Sequence, residues 1–144
     1  MRNRHDPKID RFANVSILAG CGPRELTRVA AVADEVNARR GMHLMDQDRK
    51  GDHCYVVLDG TVEVRIDGHP VAEVGPGEIV GELSLIDREP RSASVVAKTD
   101  VRLAAISASD FDALIESVPG FRRGILRLIG RRFRKLDRTV AVSA

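Results

Sequence analysis

At 144 residues, with 43% hydrophobic and 31% charged residues, the chain is long enough to bury a core and too apolar for a disordered segment. No apolar run is long enough to span a bilayer, no apolar stretch follows the basic N-terminus, and two cysteines, Cys21 and Cys54, make neither a disulfide framework nor a metal spacing. These features argue against a secreted or membrane-spanning chain and make a reducing cytoplasm the expected compartment. The net charge of +2 hides an asymmetry: residues 121–144 carry eight Arg/Lys against the single acid Asp137, so a basic tail follows a body of net charge −5.

The chain order gives one domain in three zones, a helical lead-in over 1–41, strands over 42–106 and helices over 107–140. In the first, Pro23 suits an opening helical turn, and Leu26, Val29, Ala30, Ala33 and Val36 recur at helical spacing. They predict a helix over about 23–32 with a continuation or turn toward Arg40 and a stop at Gly41, preceded by a short helix in "IDRFANVSIL". In the second zone, "CYVVL" and "TVEVRI" flank Asp59-Gly60, and "TVEVRI" and "PVAEV" flank Asp67-Gly68. Asp-Gly between alternating runs predicts a hairpin at each. With "GPGEIVGELSLI", "SASVVAKT" and "VRLAAI" the zone holds about eight short strands. That count with frequent turns predicts an antiparallel β-roll, a double-stranded jelly roll, in an α+β fold that is mainly β. Tyr55 and Cys54 read as core, the latter as a buried, inert thiol. In the third zone a helix is capped at Ser107 or Ser109 and ends near Pro119-Gly120. A longer helix follows, in which Leu126, Ile129, Phe133, Leu136 and Val140 form a short heptad stripe.

Within the strand zone, Glu82 and Arg91 stand nine residues apart, after Gly81 and Pro90. They could be an ordinary surface ion pair. The alternative is a ligand site. A tight turn opening a short helix offers free N–H groups to an anion, and Gly81 lets backbone approach closely. Arg suits phosphate, through two charge-assisted hydrogen bonds. Glu82 repels phosphate but accepts from a hydroxyl, so a phosphate next to a hydroxyl, as in a ribose cyclic phosphate, answers the pair.

"GELSLIDREPRSASV" (81–95) resembles the phosphate-binding cassette of cyclic-nucleotide-binding domains. "GDHCYVVLDGTVEV" (51–64) is similar to that family's turn-and-strand signature, and "VPGFRRGILRLIGRRFRKLD" (118–137) to its closing helices, above all in bacterial catabolite-activator-type regulators. The resemblance implies that Glu82 takes the ribose 2′-hydroxyl and that Arg91 neutralises the phosphate. Backbone N–H groups near Leu83 and Ser84 would cradle the phosphate beside Gly81, and Ser92 would touch phosphate or purine. Arg132, Leu136 and Asp137 would approach the base from the last helix, Leu136 by packing. It implies a ligand, cAMP with cGMP as the alternative, and no further cofactor.

The rival chemistries lack their residues. A metal-binding β-roll needs clustered histidines, whereas His43, His53 and His69 are scattered. No Ser or Cys stands in a nucleophile motif, so no enzyme is expected. The basic last helix reads as a solvated face, as a homodimer seam, or as a contact for an acidic partner, a membrane surface or nucleic acid. Nucleic acid is disfavoured because only six residues follow Arg138, too few for a helix-turn-helix. The expected function is a stand-alone cyclic-nucleotide sensor that signals through its C-terminal helix to an unknown downstream protein. The alternatives are a ligand-free interaction module on the same fold and a domain excised from a larger regulator.

Overall fold

The computed structural model describes residues 7–143, with side chains described over 9–136. Eight strands make two four-stranded antiparallel sheets. One has the order β1 (Asp34–Ala38), β8 (Val101–Ser107), β3 (His53–Asp59), β6 (Ile79–Val80). The other has the order β2 (His43–Met45), β7 (Ser94–Ala97), β4 (Val62–Ile66), β5 (His69–Val74). Helices α1 (Pro7–Phe12) and α2 (Pro23–Val32), with a 3₁₀ turn at Ser16–Leu18, lead in. Helix α3 (Glu82–Asp87) interrupts the strands, and α4 (Ala108–Ser117) and α5 (Pro119–Ser143) close the domain. The fold is the β-roll expected, and no helix among the described residues is long and apolar enough to cross a membrane.

Alternation along the strands divides the core in two. Val57 and Leu103 point between the sheets, where they meet Val62, Val80, Val95 and Ala97. Their neighbours Cys54, Val56, Ala104 and Ile106 point the other way, onto Phe12, Leu18, Phe111, Phe121 and Ile125 of the helical layer. Phe111 and Phe121 meet edge to face with centroids 5.5 Å apart, which locks α4 to α5. Glu25 ties the first turns of α2 and α5, accepting N–H bonds from Gly22 at 3.3 Å and Gly120 at 2.9 Å.

Two expectations need correction. The lead-in stops being helical at Val32: residues 34–38 form β1, paired with β8 from Asp34↔Ala105 to Ala38↔Val101. Asp34 and Asn37 are weak helix formers, and pairing with the edge of β8 overrides the apolar spacing that runs on to Val36. The second correction is at Asp59-Gly60, where β3 and β4 form no hairpin but belong to different sheets. A two-residue type I′ hairpin turn needs positive φ at both central residues. Asp67 (53°) and Gly68 (81°) meet that condition and join β4 to β5 as expected. At the other turn only Gly60 (85°) does. Thr61 instead donates to Thr99 Oγ1 at 3.1 Å and accepts from Lys98 N–H at 2.9 Å, so the chain crosses to the second sheet beside the β7–β8 crossing.

The last helix is as long as its periodicity implies, and Ser107 caps α4 by accepting from Asp110 N–H at 3.2 Å. Phe121, Ile125 and Leu128 face the core, while the stripe residues Leu126, Ile129, Phe133 and Leu136 are exposed. Val140 of that stripe lies outside the described side chains. The helix crosses the 3₁₀ turn at Gly124, where an added Cβ would lie 1.7 Å from Ile17 O.

Candidate functional site

The site forms where α3 leaves the roll. Strand β6 ends at Val80, and Gly81 turns the chain with φ +84°, a conformation that favours glycine. Any side chain there would meet Met45 Cε at 2.7 Å and an Arg91 nitrogen at 2.8 Å. Helix α3 then starts at Glu82 without a side-chain cap on its first N–H groups. It ends at Arg88, whose N–H returns to Ser84 O at 3.1 Å and whose guanidinium pairs with Asp112 of α4.

Glu82 and Arg91 are both buried, at 3% and 5% exposure, and are no surface pair. Nor do they bond each other. Arg91 donates to Gly81 O at 2.7 Å and to His53 O at 2.5 Å, two neutral carbonyls. No carboxylate pairs with this cation among the described residues. Its main chain is also fixed, by Arg91 N–H to Arg49 O and Asp48 N–H to Arg91 O, each 2.8 Å. A buried guanidinium held by neutral acceptors keeps its charge available to an incoming anion. Glu82 pairs across the domain with Arg132 of α5, one guanidinium nitrogen lying 2.6 Å from Oε2 and the other 3.5 Å from Oε1.

Around these groups lies a cavity of about 270 Å³, near the lower end of the small-molecule range of roughly 300 Å³ upward. The structure brings Gly81, Glu82, Leu83, Ser84, Arg91, Ser92 and Arg132 to its lining. It does not bring Leu136, which is 63% exposed and outside the lining. Asp137 lies in α5 with its side chain outside the described residues.

Sequence reasoning missed two contributions. Gly51 carries no polar group, yet a Cβ there would sit 2.8 Å from two Arg91 atoms and 2.9 Å from Ser84 Cβ. Its signal was the Gly-Asp opening of "GDHCYVVLDG", read as a strand signature rather than as clearance for Arg91. The apolar wall, Met45, Val64, Ala72, Val74, Val80 and Val95, comes from five strands. Alternation marks Val64 as inward, but which inward residues face a cavity depends on how the sheets close.

A thiol and a phenol near the site respond to burial. Cys54 lies behind the site on β3, and burial, reinforced by the Glu82 charge, pushes its pKa from 9.0 to about 12. Tyr55, beside it, is half-buried, and its pKa is raised mainly by burial. Among the described residues no group of His, Cys, Asp and Glu could hold a metal ion.

The cyclic nucleotide-binding domain family profile matches residues 35–118, more than half the chain. The Pycsar effector protein XpPycTIR of Xanthomonas perforans is 32% identical over 114 residues, 78% of this chain and 38% of that protein. The cAMP-dependent protein kinase regulatory subunit of Aspergillus fumigatus is 33% identical over 112 residues, 76% of this chain and 27% of that one. Among solved structures, the Thermus thermophilus catabolite activator protein superposes with a TM-score of 0.81 at 31% identity, covering 88% of this chain and 62% of that one. The chain thus spans between 27% and 62% of the length of these relatives. A buried Arg91 and Glu82 on a Gly-started α3 inside a β-roll, together with this match, settle the family: the chain belongs to the cyclic nucleotide-binding domain family.

Proposed function

We propose that the domain is a cyclic-nucleotide sensor whose occupied site biases the position of α5. The observation that carries this reading is the buried, carboxylate-free guanidinium of Arg91 beside a buried carboxylate that α5 itself holds. The ligand's cyclic phosphate accepts from Arg91 and from the N–H groups of Leu83 and Ser84, with Ser92 at the cavity edge. Oε1 of Glu82, the oxygen farther from Arg132, accepts the ribose 2′-hydroxyl. The carboxylate then serves the ligand and Arg132 together, so occupancy and the pose of α5 share one group. Coupling of this kind typically amounts to about 1–3 kcal/mol. Calorimetric titration with cAMP and cGMP side by side tests the reading. cAMP is the first ligand to try, because the Aspergillus fumigatus relative is a cAMP-dependent protein kinase regulatory subunit. Saturable one-site binding is expected, and the absence of binding by both nucleotides rejects it.

The exposed stripe of Leu126, Ile129, Phe133 and Leu136 favours a second reading, an interaction module that works through α5, pairing with a second copy or docking a downstream protein. Sedimentation with and without cyclic nucleotide separates the two. The sensor reading expects ligand to shift the association, and the module reading expects association that ignores it.

A further inference from the structure

We infer that the site takes 3′,5′-cyclic nucleotides without selecting the base, purine or pyrimidine. This rests on the sensor reading and deepens it. Among the described residues, every polar side chain that lines the cavity belongs to the cassette or to α5: Glu82, Ser84, Arg91, Ser92 and Arg132. On the sensor reading Arg91 is taken up by the phosphate, and both terminal nitrogens of Arg132 face Glu82. The rest of the lining is Gly81 and apolar side chains, Leu83 and Ala93 on the cassette and a wall of Met45, Val64, Ala72, Val74, Val80 and Val95, none with an N–H or O–H donor or an oxygen acceptor.

The cyclic ribose phosphate engages the polar end, which leaves the base against the apolar wall. There its hydrogen-bonding edge meets, among the described residues, no polar side chain but Ser92 at the cavity edge. The apolar residue implied at the base position, Leu136, is 63% exposed and does not line the cavity. Sites that reject an analogue strongly do so because a buried polar partner is left unpaired, whereas an apolar pocket separates close analogues by only about 10–200-fold. Purines keep a modest advantage through their larger apolar area.

The test is a calorimetric titration of the full chain with the 3′,5′-cyclic monophosphates of adenosine, guanosine, cytidine and uridine. Four dissociation constants within about 100-fold of one another are expected. Two variants cover the groups best placed to read a base, Ser92→Ala at the cavity edge and Asp137→Ala on α5. Each is expected to change all four affinities by one common factor. A preference for one base beyond about 100-fold, or a variant that reorders the four ligands, overturns base tolerance and leaves the sensor reading standing. Failure of all four to bind overturns both.

Discussion

Arg91 presents two features to an anion, a charge without a carboxylate partner among the described residues and a guanidinium already held in place by Gly81 O and His53 O. Arg91→Ala is therefore expected to weaken cyclic-nucleotide binding by about 2–5 kcal/mol, roughly one to four decades. Arg91→Lys should recover only part, because an ammonium cannot span two carbonyls and a phosphate as the fork does. Titration of both variants checks this, and wild-type affinity in Arg91→Ala would move the phosphate elsewhere. Glu82→Gln keeps the shape but loses the charge that strengthens its bond to a ribose hydroxyl, a loss of about 1–2 kcal/mol. Wild type should discriminate against a 2′-deoxy cyclic nucleotide, and Glu82→Gln should do so much less. Equal discrimination by both proteins rules out the 2′-hydroxyl contact. Behind the pair, Cys54 supplies a pH dependence. Its folded pKa, about 12, lies above its ordinary 9.0, so the folded state holds the proton longer than the unfolded chain. The contribution is fully present below pH 9 and is lost as pH rises toward 12. Denaturant unfolding from pH 8 to 11 should show stability falling, with a shallower fall in Cys54→Ala. The acid–base pair was legible in the sequence because "GELSLIDREPRSASV" resembles the family's cassette, but its burial was not, since the same letters also read as a surface ion pair. Nor was Gly51, because its contribution is the space beside Arg91 and appears only in three dimensions.

At the scale of elements, two of the three glycines of α5, Gly124 and Gly130, distinguish its docked part from its free part. Gly124 faces the 3₁₀ turn, and a methyl there would collide with Ile17 O, a backbone atom that cannot rotate away. Gly124→Ala is expected to destabilise the domain by about 1–3 kcal/mol, despite the helix propensity it adds. Gly130 has nothing within 4 Å of where its Cβ would stand. Gly130→Ala should stabilise by about 0.5–1 kcal/mol. Paired denaturant curves read both signs, and a neutral Gly124→Ala would mean that α5 is not pinned at the turn. The same scale explains what the sequence disclosed of the elements. The heptad stripe and the Ser107 cap announced α4 and α5, because propensity, pattern and cap agree there. At 34–38 an apolar period of helical type met a strand edge in need of a partner, and the pairing with β8 prevailed. At Asp59-Gly60 the dipeptide signalled a turn correctly, but its backbone angles, not its letters, decide whether that turn closes a hairpin.

For the whole molecule, the β-roll was foreseeable from strand number and turn spacing, whereas the division into sheets was not, because it depends on which strands cross between layers. Those crossings set the cavity between the roll and one long helix, which passes closest to the 3₁₀ turn where Gly124 meets Ile17. On the sensor reading, that contact is the fulcrum of α5. Arg132 lies eight residues beyond it, about 12 Å along the axis, and the end of α5 at Ser143 lies nineteen residues beyond, about 28 Å. A helix that tilts as a stiff rod about Gly124 would carry a 1 Å displacement at Arg132 to more than twice that amplitude at its tip. The ligand would need to move only one guanidinium slightly to swing a lever whose far arm carries the exposed Phe133 and Leu136. Pairs of spin labels with one member fixed on β4 should show ligand-induced distance changes that grow in proportion to the second label's distance from Gly124. A change confined to the neighbourhood of Arg132 would mean that the arm bends, and that the signal is spent within two turns of the site.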